Sequence, residues 1–227
     1  MPRVPATSIG SSLRRLRRRP FFTIWNRLKR AYLDARDRPY ERRLGVDTAL
    51  VTDALRSFEA QIQGHMSTPY RVLDTIGKHM RENGIATPRF VDVGCGLGRP
   101  LYYFADRFED LLGFEIAAPL HAAAQAQLEA ARAKNPRYGR IAVHHADATT
   151  ALPLDQPMVL FFYNPFGPKP LARLCERLKA AEHQIHLYYV NPTLRALLAA
   201  EMGRPADAAL HDWFDILYYH IVPARSR

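Results

Sequence analysis

Phe90-Val-Asp-Val-Gly-Cys-Gly-Leu-Gly-Arg99 runs an apolar stretch into three glycines spaced two apart. The pattern predicts a buried strand, a tight turn and then a helix that starts at Arg99 or Pro100. Glycine is needed where the backbone bends sharply and lets a ligand approach, because a Cβ would collide there. The helix behind the turn offers free N–H groups and positive potential. Ordinary strand-to-helix turns are also rich in glycine, so the surroundings decide the reading.

Downstream, short apolar runs alternate with helix-length segments, the rhythm of parallel strands joined by helical crossovers. Strands are expected at 89–93, 111–116, 140–144, 158–163 and 184–190, with helices near 99–107, 119–133, 168–181 and 193–201. The tail 209–222, rich in aromatic and β-branched residues, reads as an antiparallel pair closing the sheet. The expected fold is α/β: a doubly wound, mostly parallel, seven-stranded sheet with an antiparallel C-terminal strand, preceded by a helical extension. Two further acids fall at strand ends. Glu115, followed by Ile116, lies 17 residues after Gly98, where nucleotide-binding folds place the carboxylate that accepts ribose hydroxyls. Asp147-Ala148 closes the third strand, with Asp147 suited to accept from an adenine amino group. The spacing Gly94, Gly96, Gly98 differs from the Gly-x-Gly-x-x-Gly of nicotinamide enzymes and argues against a dehydrogenase.

Upstream, residues 44–83 read as a helical lid. Leu50, Val51, Ala54, Leu55 and Phe58 share one helical face, and Val72, Leu73, Ile76 and Met80 share another. Between them, Pro69 suits a first helical turn with Ser67 or Thr68 as its cap.

The formal charge of +10 belongs entirely to residues 1–43, which hold 13 Lys/Arg against 3 Asp/Glu. A neutral core with a separable basic arm follows, and with it three candidate partners: nucleic acid, another polyanion, or an anionic membrane surface reached by peripheral association. The bland alternative is a solvated arm docked by the stripe Phe22, Trp25, Leu28, Tyr32. A transit sequence has a similar composition. No apolar run has the length of a membrane span, and the two cysteines, Cys95 and Cys175, suit a reducing compartment, so a cytoplasmic location is expected. The histidines show no metal-site spacing, and no metal is expected.

The combination of turn and acids resembles the class I S-adenosylmethionine-dependent methyltransferases over residues 84–227. The resemblance implies S-adenosylmethionine (SAM) as cofactor: Asp92, Gly94, Cys95, Gly96 and Gly98 around its methionine part, Glu115 on the ribose with Ile116 beside it, and Asp147 and Ala148 bordering adenine. The end of the fourth strand, Asn164-Pro165-Phe166, resembles the Asn/Asp-Pro-Pro-aromatic motif of members that methylate amino nitrogens, with the second proline missing. There the Asn oxygen accepts from the target amine and the aromatic ring stacks on the substrate. An Asn-Pro turn ending a buried strand is the structural alternative. Gly45-Val-Asp-Thr48 and Thr68-Pro69 are similar to segments of a group of bacterial methyltransferases. The functional alternative is a non-catalytic nucleoside-binding or SAM-binding module tethered to a polyanion by the basic arm.

Overall fold

The computed structural model describes residues 32–33, 35–48, 67–207 and 214–223. The expected basic stretch Leu13–Arg19, the start of the arm helix and the first lid helix lie outside the described residues. Two units are distinguished, Met1–Pro39 and Tyr40–Arg227. In the first, the described residues from Tyr32 onward are helical, and Arg36 donates to the Tyr32 hydroxyl (2.7 Å) with its guanidinium over the same ring.

The second unit carries α1 (Tyr70–Glu82), β1 (Arg89–Val93), α2 (Arg99–Tyr103), β2 (Asp110–Glu115), α3 (Ala118–Lys134), β3 (Ile141–His145), α4 (Ala148–Ala151), β4 (Met158–Tyr163), α5 (Pro168–Lys179), β5 (Ile185–Val190), α6 (Arg195–Met202) and β6 (Ile216–Ile221). The strands form one sheet in the order β3-β2-β1-β4-β5-β6. All pairings are parallel except β5 with β6. Among the described residues the sheet therefore has six strands, against the seven expected. The expected antiparallel closure is present as β6 against β5, with Asp207 bridging to Tyr218, while the first part of the expected tail, 209–213, lies outside the described residues.

Every residue of β1, β4 and β5 is buried except Tyr163, half-buried at the end of β4, as expected for central parallel strands covered on both sides. On one face Val91, Val93, Leu160, Phe162, Leu187 and Tyr189 pack with Leu171, Leu174, Cys175 and Leu178 of α5. On the other, Phe90 meets Phe104, Phe108 and Phe161 at ring separations of 4.9, 5.3 and 6.1 Å. Helix α1 lies over this second face and its His79 hydrogen-bonds Tyr188 (2.8 Å). The start of α1 differs from expectation. Pro69 precedes Tyr70 with no side-chain cap, because the Ser67 hydroxyl donates instead to the Thr48 carbonyl (3.0 Å).

Arg89 is buried at the entry to β1 and is paired with Asp110 and Asp155, which satisfies a charge that would otherwise be stranded at the amino-terminal edge of the sheet. Between α1 and β5–β6 lies a histidine and tyrosine layer. His186 is buried, stacks on His220 (4.6 Å) and hydrogen-bonds the Tyr218 hydroxyl (2.8 Å). Burial, then the neighbouring His220 and His79, pulls its pKa down from 6.5 to about 4. His79 is pulled the same way, chiefly by burial. Between these two values the unfolded chain binds the extra proton, so stability falls as pH falls. The cost from His186 is about 2 kcal/mol at pH 5. Urea midpoints compared at pH 7 and pH 5 should show this loss, and His186→Gln, which does not titrate, should flatten the profile. An equally steep profile in the variant would refute the assignment.

Candidate cofactor and acceptor site

Strand order reverses between β1 and β4, where the connections of successive strands diverge and leave a crevice at the carboxyl ends. The glycine turn follows β1 and Asn164 follows β4, so both border that crevice. Gly94, Gly96 and Gly98 all have left-handed φ, at 69°, 52° and 77°. The turn is held to β2 by Gly94 N–H and Cys95 N–H, which both donate to the Phe114 carbonyl (2.8 and 3.1 Å). A Cβ on Gly94 would stand 2.7 Å from Pro165 Cβ, so the missing side chain is what lets the strand-four corner close on the turn. Gly113 serves a related purpose inside β2. A Cβ there would lie 2.8 Å from Cys95 Sγ and 2.9 Å from Leu101. Cys95 is thus a buried packing residue of the turn, its thiol pushed well up by burial and by nearby Asp92 and Glu115.

Three acids stand at this edge in different states. Glu115 is 6% exposed and accepts from Gly96 N–H at Oε2 (3.0 Å) and from Ala117 N–H at Oε1 (2.8 Å). A carboxylate has about four lone-pair sites, so each Glu115 oxygen retains acceptor capacity beyond these two bonds. Asp92 is 2% exposed, and its Oδ2 has no hydrogen-bond partner among the described residues. Burial, and then the Glu115 charge, raises its carboxyl well above the usual range. Asp147 is engaged differently: its side chain caps α4 by accepting from Thr149 N–H (2.9 Å). Ala148 is buried behind it, while Ile116, beside Glu115, is 69% exposed. A large apolar side chain thus stands in water next to a buried carboxylate.

At the other wall, Asn164 has φ 47° and its Oδ1 accepts from the Tyr189 hydroxyl (2.7 Å) and the Thr193 hydroxyl (2.6 Å). Both lone pairs of that oxygen are spent inside the protein. Pro165 is exposed, and Phe166 is half-buried with its ring edge-on to Phe162 (5.6 Å). Tyr163, just before them, is held protonated by burial, its pKa pushed up to about 12.

The residues that the sequence reading did not anticipate lie just behind the turn. Arg99, 4% exposed, is gripped by the Glu41 carboxylate (3.0 Å), the Thr48 hydroxyl (2.6 Å) and the Thr68 carbonyl (3.1 Å), with its guanidinium 4.7 Å from the Tyr70 ring centre. Glu41 also accepts from Thr48 and from the Tyr70 hydroxyl (3.0 Å). The segments around Thr48 and Thr68 thus meet on one arginine. A basic residue immediately after a glycine turn was the available signal; for Glu41 the sequence carried none.

A cavity of about 390 Å³ lined by Leu154, Asp155, Arg177, Ala181, Glu182 and His183 opens at the opposite edge of the sheet, before β4 and β5. Its Arg177 is tied to the carbonyls of Ala148, Thr149 and Leu152 and its Asp155 to Arg89. It has no part in the strand-end site. Among the described residues there is no group of three or more metal-type ligands, and no helix is long and apolar enough to cross a membrane.

Residues 91–159, from β1 to the start of β4, match the family model described as a methyltransferase domain. No curated protein matches the chain. Among solved structures, the chain is similar to a SAM-dependent methyltransferase from Aquifex aeolicus, at 14% identity and TM-score 0.52 over 69% of this chain and 95% of that one. It is also similar to the putative methyltransferase yhhF from Escherichia coli, at 14% identity and TM-score 0.49 over 67% and 86%. The methyltransferase domain of bacterial CtHen1 matches at 14% identity and TM-score 0.43, over 52% of this chain and 64% of that chain. The Aquifex likeness is one of fold: a mixed α/β sheet, mostly parallel, with an antiparallel last strand.

Two substitutions probe the architecture. Gly94→Ala forces both a left-handed alanine and a clash with Pro165, and should cost roughly 1–3 kcal/mol in urea unfolding. Arg99→Met strands the Glu41 carboxylate in the interior, and should cost roughly 3–5 kcal/mol. A loss below about 1 kcal/mol in Arg99→Met would mean that the pair is solvated in solution.

Proposed function

We propose that this chain is a SAM-dependent methyltransferase whose acceptor carries an exchangeable N–H or O–H proton, an amino nitrogen foremost. S-adenosylmethionine is the cofactor, and when bound it supplies a methyl group activated by a sulfonium leaving group. The observation that carries the reading is the state of the two acids flanking the glycine turn. Asp92 is buried with an unpartnered oxygen, and Glu115 is buried with acceptor capacity to spare. An unpartnered buried acceptor costs about 1–3 kcal/mol, an expense a ligand's donor groups would offset. SAM brings such donors, an α-ammonium and two ribose hydroxyls, and exposed Ile116 offers an apolar face to its base. The methyltransferase-domain match over 91–159 spans Asp92, the glycines, Glu115, Ile116, Asp147 and Ala148 and supports their assignment to the cofactor.

The protein's own contribution is positioning. Glu115 links cofactor and turn, because the carboxylate that would take the ribose hydroxyls also holds Gly96 N–H. The rigid corner Asn164-Pro165 sits against Gly94 and fixes the distance between the cofactor side and the acceptor side. Orientation of this kind, with reacting atoms held at about 3–3.5 Å, needs no general base of special pKa.

Isothermal titration with SAM is the test. Wild type should bind, and Glu115→Ala should weaken binding roughly 10-fold to 150-fold, the value of hydrogen bonds to a charged group. No binding by wild type, or unchanged affinity in Glu115→Ala with its fold intact by circular dichroism, would sink the reading.

A further inference from the structure

The ends of β4 and β5 are built alike. Tyr163 and Val190 are the last paired residues of the two parallel strands, and each is followed by an Asn-Pro step, Asn164-Pro165 and Asn191-Pro192. Asn164 and Asn191 are the non-glycine residues with positive φ among the described residues, at 47° and 51°. A residue before proline is driven toward extended conformations, so each asparagine adopts its left-handed turn against the usual preference. Backbone strain persists only where its surroundings hold it, and it gathers at binding sites.

The two corners are not equivalent in what their side chains have left to offer. Asn164 Oδ1 takes hydrogen bonds from Tyr189 and Thr193, which flank Asn191 by two residues on either side. Asn164 therefore serves as a clamp between the corners. Asn191 is exposed; its N–H donates to the Asp215 carbonyl (2.7 Å), which anchors the backbone, and its side-chain amide makes no hydrogen bond among the described residues.

We propose that Asn191 supplies the amide that meets the methyl acceptor, and that Asn164 is a positioning residue that holds the Asn191 corner in place. This rests on the methyl-transfer reading above. It reassigns the acceptor contact from the first Asn-Pro corner to the second. The carbonyl of Asn191 accepts an N–H or O–H from the acceptor and its NH2 donates to a neighbouring oxygen, so the substrate class is one that pairs a nucleophilic amino or hydroxyl group with a carbonyl, as amides and nucleobases do.

The test follows tritium from labelled SAM into the protein, RNA, DNA, lipid and small-molecule fractions of a bacterial lysate, over a series of lysate dilutions. SAM affinity by calorimetry and thermal midpoints are recorded for each variant. Asn191→Ala should reduce transfer about tenfold or more and raise the lysate concentration needed for half-maximal rate, with SAM affinity within about twofold of wild type. Asn164→Ala, Tyr189→Phe and Thr193→Val should each lower the thermal midpoint as well as transfer, because they loosen the clamp. Transfer by Asn191→Ala within about twofold of wild type overturns the proposal. So does a tenfold loss in Asn164→Ala with an unchanged midpoint and an unchanged Tyr189→Phe, since that pattern makes Asn164 the contact. If wild type neither binds SAM nor transfers label, the methyl-transfer reading falls with it. Binding and transfer by wild type with an indifferent Asn191→Ala defeats this proposal alone.

Discussion

The buried guanidinium of Arg99 is the constraint on which the site depends. A charge at 4% exposure is tolerated only if nearly all its donors are satisfied, and here Glu41, Thr48 and Thr68 satisfy them from two separate segments. Because Arg99 is also the first residue of α2, those segments are fixed relative to the glycine turn itself. Tyr138 adds a second tie by donating to the Leu44 carbonyl (2.6 Å). A third comes from Asp74, which accepts from both Tyr40 and Tyr103 (2.5 Å each). The described segments 40–48 and 67–82 are therefore tied to the residues around the glycine turn by several hydrogen bonds, and those to Arg99 cannot be given up without stranding a buried charge.

From that fixed turn the remaining geometry follows through close contacts rather than through flexible side chains. Gly113 makes room for Cys95 and Leu101, which lets the turn sit down on β2. Gly94 makes room for Pro165, which brings the end of β4 against the turn. Asn164 then binds Tyr189 and Thr193, which brings in the end of β5. Each step transmits position across one strand of the sheet, so the carboxyl ends of β2, β1, β4 and β5 are registered to one another by contacts at a few small residues.

The parts of this scheme legible in the sequence were those set by periodicity and turn chemistry. Strands β1 and β4 could be placed to the residue, because an apolar run bounded by glycine, proline or asparagine has only one sensible reading. The antiparallel closure is legible in the aromatic and β-branched residues of 209–222, of which the described part forms β6 against β5. Glu115 and Asp147 fell at strand ends as spacing implied, but spacing does not reveal that Asp147 also spends an oxygen on capping α4. Long-range pairings such as Glu41–Arg99, separated by 58 positions, leave no local signature at all.

Asn164 shows why a motif can locate a site without assigning its chemistry. The dipeptide Asn-Pro at the end of β4 identifies a strained corner, since asparagine is the side chain that best tolerates a left-handed backbone other than glycine. That requirement is met by conformation alone and leaves the amide free to be used in either direction. Which direction is taken depends on the neighbouring strand, where Tyr189 and Thr193 supply two hydroxyl donors and fill the oxygen. The same dipeptide at the end of β5 meets the same backbone requirement, but its anchor is a backbone bond to Asp215, and its amide makes no hydrogen bond among the described residues. Two corners of one sequence type thus differ in chemistry because parallel neighbours in a sheet are not interchangeable: one has a partner strand rich in hydroxyls, and the other has the antiparallel edge.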